Sequence, residues 1–216
     1  MIVKVCGVRT AEIALCAVEA GADWLGIVFD ERSPRHAGPA EAARVVAACA
    51  GRVDIVGVLV EPPAALCDQV ARRHRLAAVQ VHGRIAPGFA AEVNVAVIRA
   101  VNAAGRDEAL CLEWWPDCLV LLDSAPSAGG ALPGGTGLRV DLDTAAEVAR
   151  HRPIVLAGGL DPDNVGKAIA RVRPLGVDAS SGLESAPGVK DPGRVRDFVL
   201  AARSAFAATS ALEAAG

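Results

Sequence analysis

Eight short runs rich in β-branched residues recur along this chain, and stretches of helical periodicity separate them from end to end. They are "IVKVC" (2–6), "WLGIVF" (24–29), "VDIVGVLV" (53–60), "AAVQVH" (77–82), "VAVIRAV" (95–101), "CLVLLD" (118–123), "PIVLAG" (153–158) and "LGVDAS" (175–180). Such alternation signals β/α units around a parallel sheet rather than separate sheet and helix domains. Helix starts stand where those units need them: Thr10 before "AEIALCAVEA", Pro39 before "AEAARVVAACA", Pro62 before "PAALCDQVARRH", and Asp161-Pro162 before "DNVGKAIARV". Eight strands and about eight helices in roughly 200 residues match the compact limit of a (β/α)8 barrel, an α/β TIM-barrel fold. A doubly wound sheet is the alternative. It would more often show about five to seven strands and a Gly-rich turn after the first, whereas "CGVRT" has one glycine and no G-x-G-x-x-G follows.

Within 216 residues no Pro/Gly/Ser-rich linker divides the chain, so one barrel domain is expected over residues 1–203. The Ala-rich residues 204–216, "SAFAATSALEAAG", are expected to form a fraying helix or a disordered tail. Apolar residues make up 52% and mean hydropathy is +0.35. No uncharged apolar run nears the roughly 20 residues that cross a bilayer, so no membrane association is expected. The start "MIVKVCGVRT" carries neither a basic segment nor a cleavage site, which points to the cytoplasm. Six cysteines (6, 16, 49, 67, 111 and 118) lack paired C-x-x-C spacing and metal-ligand neighbours, and are read as reduced thiols, mostly core, with no metal site. A net charge of −3, scattered basic residues and 3% aromatics make nucleic acid an unsuitable partner. A monomer is expected, with a homodimer as the alternative.

In a barrel of this kind, chemistry belongs at the C-terminal strand ends and in the loops that follow. The loops after strands 7 and 8, "LAGGLDPDNV" and "DASSGLES", combine Gly158, Gly159 and Gly182 with Ser180 and Ser181. Glycines let backbone N–H groups approach an anion and serines add hydroxyl donors, so these loops read as a phosphate cradle and the partner as a small phosphorylated molecule. Cys6 ends strand 1 at the barrel mouth. There a thiol is either a small buried hydrophobe, as Cys16, Cys49, Cys67 and Cys111 are read, or a base or nucleophile whose pKa neighbouring cations bring toward neutrality. Asp123 follows the apolar run "LVLL", where a carboxylate is costly unless it serves a site, caps a helix or pairs with a loop arginine. Arg35, in "DERSPRHAG", can grip a carboxylate or phosphate in bidentate fashion, or lie exposed on the surface. His82 ends strand 4 as a proton carrier or a loop anchor. Lys4 and Asp178 share the parity of Cys6 and Ser180, which would let them pair inside the barrel as a structural couple. Arg99 is expected to point inward.

Taken in order, "KVCGVRT", "GADWLGIVFDERSPRHAGP", "VGVLVE", "AVQVHG", "VIRAV", "LLDS", "GGTG", "LAGGLDPDNV" and "VDASSGLESAPGVKD" resemble the phosphoribosylanthranilate isomerase family over about residues 2 to 203. The resemblance implies an Amadori rearrangement of N-(5-phosphoribosyl)anthranilate, without cofactor or metal, in tryptophan biosynthesis. It further implies that Asp123 is the acid protonating the furanose oxygen, Cys6 the base at C2′, and Arg35 the contact to the anthranilate carboxylate. Departures from the family pattern are Leu138 and Leu142 after "GGTG", with Arg139 beside them, His36 in place of a tyrosine, and "HGRIAP" without the usual acidic residues. Two other readings stand beside this one. An isomerase of another aminoaldose phosphate is disfavoured in its histidine-pathway form, which places an aspartate where Cys6 stands. A non-catalytic phosphate-binding barrel has no need of both Cys6 and Asp123.

Overall fold

The computed structural model describes residues 1–49, 51–102, 118–124 and 141–214. Eight parallel strands close a barrel in chain order: β1 (Ile2–Cys6), β2 (Trp24–Val28), β3 (Asp54–Val60), β4 (Ala78–His82), β5 (Ala96–Asn102), β6 (Leu119–Asp123), β7 (Ile154–Leu156) and β8 (Gly176–Ala179). β8 returns to β1 in the register Lys4↔Asp178 and Val5↔Ala179. This is the expected (β/α)8 architecture. β7 is shorter than its apolar run because Gly158, at φ +88°, turns the chain away from the sheet.

Six α-helices are present among the described residues: α1 (Ala11–Ala20), α2 (Pro39–Cys49), α3 (Ala64–His74), α4 (Leu142–His151), α5 (Val165–Val172) and α6 (Pro192–Ala214). Their starts follow from local chemistry. Thr10 Oγ1 accepts the Ile13 N–H at the head of α1, a cap that contributes about 1 kcal/mol. Asp141 accepts the N–H groups of Asp143 and Thr144 at α4. Asp161 Oδ1 accepts from both Asp163 and Asn164 at 2.9 Å, which turns the chain into α5 just beyond Pro162. Between β4 and β5 only one 3-10 turn, Phe89–Glu92, forms, because Pro87 and Gly88 interrupt the segment.

The strands are buried on both faces, which is why their sequences read as unbroken apolar runs. Val56, Ala78, Ile98, Ala100, Leu121, Val155 and Ala157 fill the barrel. Val3, Val5, Leu25, Ile27, Val79, Val81, Leu122 and Leu156 face outward into the larger core shared with the helices. Arg99 alternates with the inward Ile98 and Ala100, so it points outward, contrary to the sequence expectation. There it donates to the carbonyls of Val81, Ala100 and Gly83.

The Ala-rich end, expected to fray or be disordered beyond Arg203, is helical to Ala214. Alanine carries the highest helix propensity, and Phe198, Ala202 and Phe206 of α6 are buried. Arg203 anchors α6 to the α1–β2 turn through the Gly21 carbonyl (Nη2 at 2.6 Å) and Asp23 (2.6 Å). A hairpin of β9 (Glu184–Ala186) and β10 (Val189–Lys190) follows β8.

Candidate active site

Cys6 is the last residue of β1 and its thiol is buried beside Val28 and Val58 at the top of the barrel interior. Two residues earlier on the same face, Lys4 is fully buried, with Nζ 3.0 Å from Asp178 Oδ1. Strand parity anticipated this pair. A buried ion pair is close to neutral in net stability, so its consequence is the field it creates. Burial alone would lower the Lys4 pKa, but Asp178 and Cys6 outweigh it and hold the ammonium above its ordinary range. Asp178 is pushed up by burial. Burial also raises the Cys6 thiol, and the opposing charges of Lys4 and Lys190 only partly offset it. The expected lowering by nearby cations is therefore outweighed, because desolvation of a thiolate exceeds the attraction.

Asp123 ends β6, and its Oδ1 accepts the Ser124 N–H at 2.7 Å. Burial lifts its carboxyl to about 6, against the Ser124 hydrogen bond and Lys4, with Asp178 adding to the rise. One cavity joins Asp123 and Ser124 to Ala157, Gly158, Gly159 and Leu160 after β7 and to Asp178, Ala179, Ser180 and Ser181 after β8. An acid with a pKa near neutrality thus opens on the two loops read as an anion cradle.

Both loops depend on glycine. Gly159 adopts φ +66°, and its carbonyl accepts from Asn164 Nδ2 at 2.8 Å. A Cβ on Gly182 would lie 2.1 Å from the Leu160 carbonyl oxygen, so the second loop packs on the first only with glycine there. Ser180 is already engaged: its hydroxyl donates to the Cys6 carbonyl at 3.2 Å and accepts from Lys190 Nζ at 3.3 Å. It links the cradle to the thiol strand.

Arg35 is not a surface residue. Its Nε and Nη2 clasp Glu184 at 2.7 and 2.9 Å, and Lys190 Nζ meets the same carboxylate at 2.6 Å. A Cβ on Gly7 would approach Arg35 Cδ (3.0 Å), Lys190 Nζ (3.2 Å) and Ser180 Oγ (3.2 Å), so all three converge on the residue after Cys6. His82 is buried, with Nε2 2.7 Å from Gln80 Nε2. Burial first, then Lys4 and Arg99, lowers its pKa to about 3. Its imidazole is neutral at physiological pH and a feeble base.

A family model described as N-(5'phosphoribosyl)anthranilate (PRA) isomerase matches residues 3–201. The chain belongs to this isomerase family. N-(5'-phosphoribosyl)anthranilate isomerase of Geotalea uraniireducens (strain Rf4) is 44% identical over 202 residues, covering 93% of this chain and 98% of that protein. Among solved structures, phosphoribosyl anthranilate isomerase of Thermotoga maritima superposes with a TM-score of 0.83 at 35% identity, covering 94% of this chain and 100% of that one. A phosphoribosyl anthranilate isomerase in complex with reduced 1-(o-carboxyphenylamino)-1-deoxyribulose 5-phosphate gives a TM-score of 0.81 at 34% identity, with the same coverage.

Against that family background, Asp123, Gly158, Gly159, Ser180 and Ser181 line one cavity, while Cys6, Gly182, Arg35 and His82 lie outside its lining, Cys6 being joined to it through its carbonyl and the Ser180 hydroxyl. The "GGTG" segment, Leu138, Arg139 and Cys111 lie outside the described residues. Cys49, Cys67 and Cys118 are buried cysteines, and Cys16 is a half-buried one. Glu184, Lys190 and Gly26 carry parts of the site that the sequence reading did not single out. A signal for the first two existed: Pro187-Gly188 between Glu184 and Lys190 is a hairpin turn that sets them opposite each other.

Proposed function

We propose that this chain carries out the Amadori rearrangement of N-(5-phosphoribosyl)anthranilate to 1-(2-carboxyphenylamino)-1-deoxyribulose 5-phosphate in tryptophan biosynthesis, with Asp123 as general acid and Cys6 as general base. The observation that carries the residue roles is Asp123 itself. A carboxyl raised to about 6 keeps a transferable proton near neutral pH and faces the cavity formed by the loops after β7 and β8. Asp123 gives its proton to the furanose oxygen, the C1′–O bond breaks, and the amino nitrogen supplies the electron pair that forms the iminium. That iminium acidifies the C2′–H, so the Cys6 thiolate can remove the proton to give the enolamine. Tautomerisation then yields the ketone. C1′ is reduced while C2′ is oxidised within one molecule, so the reaction balances without an outside oxidant.

Gly158, Gly159, Ser181 and Gly182 hold the phosphate through backbone N–H groups, and Ser180 fixes the cradle to Cys6. Arg35 binds the anthranilate carboxylate. His82 orients the loop after β4. The protein works in the cytoplasm. No helix among the described residues is long and apolar enough to cross a membrane. The test is an assay of purified protein with freshly prepared phosphoribosylanthranilate, following loss of anthranilate fluorescence coupled to the next enzyme. Absence of turnover by folded protein in that assay would overturn the reading.

A further inference from the structure

Glu184 is a buried acid for which the rearrangement has no direct use. It opens β9 and pairs in register with Lys190 of β10. The hairpin turn at Gly188 (φ +79°) sits against the loop that carries Arg35, for a Cβ there would lie 2.2 Å from the Pro34 carbonyl oxygen. The hairpin therefore delivers the Glu184 carboxylate to the Arg35 guanidinium from the side, Oε1 to Nε at 2.7 Å and Oε2 to Nη2 at 2.9 Å. A guanidinium has two bidentate edges. The Nε–Nη2 edge is taken, and Nη1 makes no hydrogen bond among the described residues.

Charge supports a second carboxylate at that free edge. Arg35 and Lys190 set two cations against one carboxylate, which leaves the cluster one positive charge over. Although burial would raise the Glu184 carboxyl, Arg35 and Lys190 hold it below its ordinary range, so it is ionised at working pH. An arginine free to rotate loses conformational entropy each time it binds, whereas one already held along one edge does not.

We propose that Glu184 is a positioning residue that locks Arg35 by its Nε–Nη2 edge and leaves the Nη1–Nη2 edge for the substrate carboxylate. Glu184 then sets selectivity for a carboxylate-bearing aglycone without touching the substrate. This rests on the role given to Arg35 above.

The test compares kcat/KM for the phosphoribosyl conjugates of anthranilate and of aniline in the parent, Glu184→Gln, Glu184→Asp and Arg35→Lys, with the fold checked by circular dichroism. Glu184→Gln should lower the anthranilate-to-aniline ratio by roughly tenfold, chiefly through KM for the anthranilate conjugate. Glu184→Asp keeps the charge, and with it the buried cluster, but shortens the reach. It should give an intermediate ratio, and it carries the test if the glutamine variant does not fold. An unchanged ratio in the folded variants, or an equal loss on both substrates, overturns the proposal. If Arg35→Lys shifts the ratio while the Glu184 variants do not, only the role of Glu184 falls. If Arg35→Lys leaves the ratio unchanged as well, the carboxylate contact of Arg35 falls with it.

Discussion

Gly26 stands opposite Cys6 across the β1–β2 ladder, and a Cβ built on it would lie 2.6 Å from the Cys6 Sγ and 3.1 Å from the Cys6 Cα. The thiol occupies space that any side chain at position 26 would claim. Gly26→Ala should therefore displace the thiol and overpack the barrel, costing about 1–3 kcal/mol of stability and roughly tenfold or more in kcat. Gly57→Ala is the matched control. Its Cβ would strike Leu76 and Phe29 on the outer face of the barrel, so melting temperature should fall while kcat holds. Equal kcat losses in the two variants would separate Gly26 from the chemistry.

The acid and base have an inverted order of pKa values. Asp123, which must be protonated, titrates at about 6, while Cys6, which must be a thiolate, lies above its ordinary value. The productive form is then a minority species of constant fraction between the two values. The kcat/KM profile should be bell-shaped, with an acid limb near pH 6 set by Asp123 and an alkaline limb above the ordinary thiol range set by Cys6. Alkylation of Cys6 followed against pH in the inactive Asp123→Asn variant reports the thiol directly. A thiol that reacts fully at pH 7 would contradict this order.

Removing the Asp123 charge should stabilise the protein as it inactivates the enzyme. The carboxyl has a folded pKa of about 6 against an unfolded value near 3.9, so the native state binds the proton more tightly. The resulting stabilisation is present below the unfolded pKa and is lost as pH rises through about 6. Asp123→Asn keeps an acceptor for the Ser124 N–H and has no charge to desolvate. At pH 7 it should be more stable than the parent by about 1–3 kcal/mol, and the difference should shrink toward pH 4. Chemical denaturation at the two pH values measures this, and a difference independent of pH would show that Asp123 is not desolvated.

The cradle is tested at Gly159, whose φ of +66° asparagine and aspartate tolerate better than other residues do. Gly159→Asp sets a carboxylate against the bound phosphate, and should raise KM by about tenfold or more relative to Gly159→Asn, which has the same shape without the charge. Sulfate should compete with substrate in the parent and less well in the aspartate variant. Matching KM values in the two variants would remove this loop from the phosphate site.

Much of this molecule is legible in its sequence. Parallel strands buried on both faces must be apolar throughout, so "VDIVGVLV" and "LVLLD" announce themselves, and a barrel places chemistry at strand ends, where Cys6 and Asp123 stand. Strand parity alone paired Lys4 with Asp178. Parity failed at Arg99 because a single residue in a short run carries no mark of which face is inner, and a long side chain can satisfy itself on backbone carbonyls from either.

What the chain determined by itself was therefore everything that depends on local periodicity and order: eight parallel strands, the caps of α1 and α5, the glycine loops after β7 and β8, and which strand ends carry an acid and a thiol. Tertiary structure alone decided how those groups behave. The height of the Cys6 and Asp123 pKa values depends on how far water is excluded. The neutrality of His82 depends on burial beside Lys4 and Arg99, and the commitment of Arg35 to Glu184 joins residues far apart in sequence through a hairpin seated on another loop. Desolvation and through-space charge fall off with distance in space, not along the chain, so no reading of sequence order contains them.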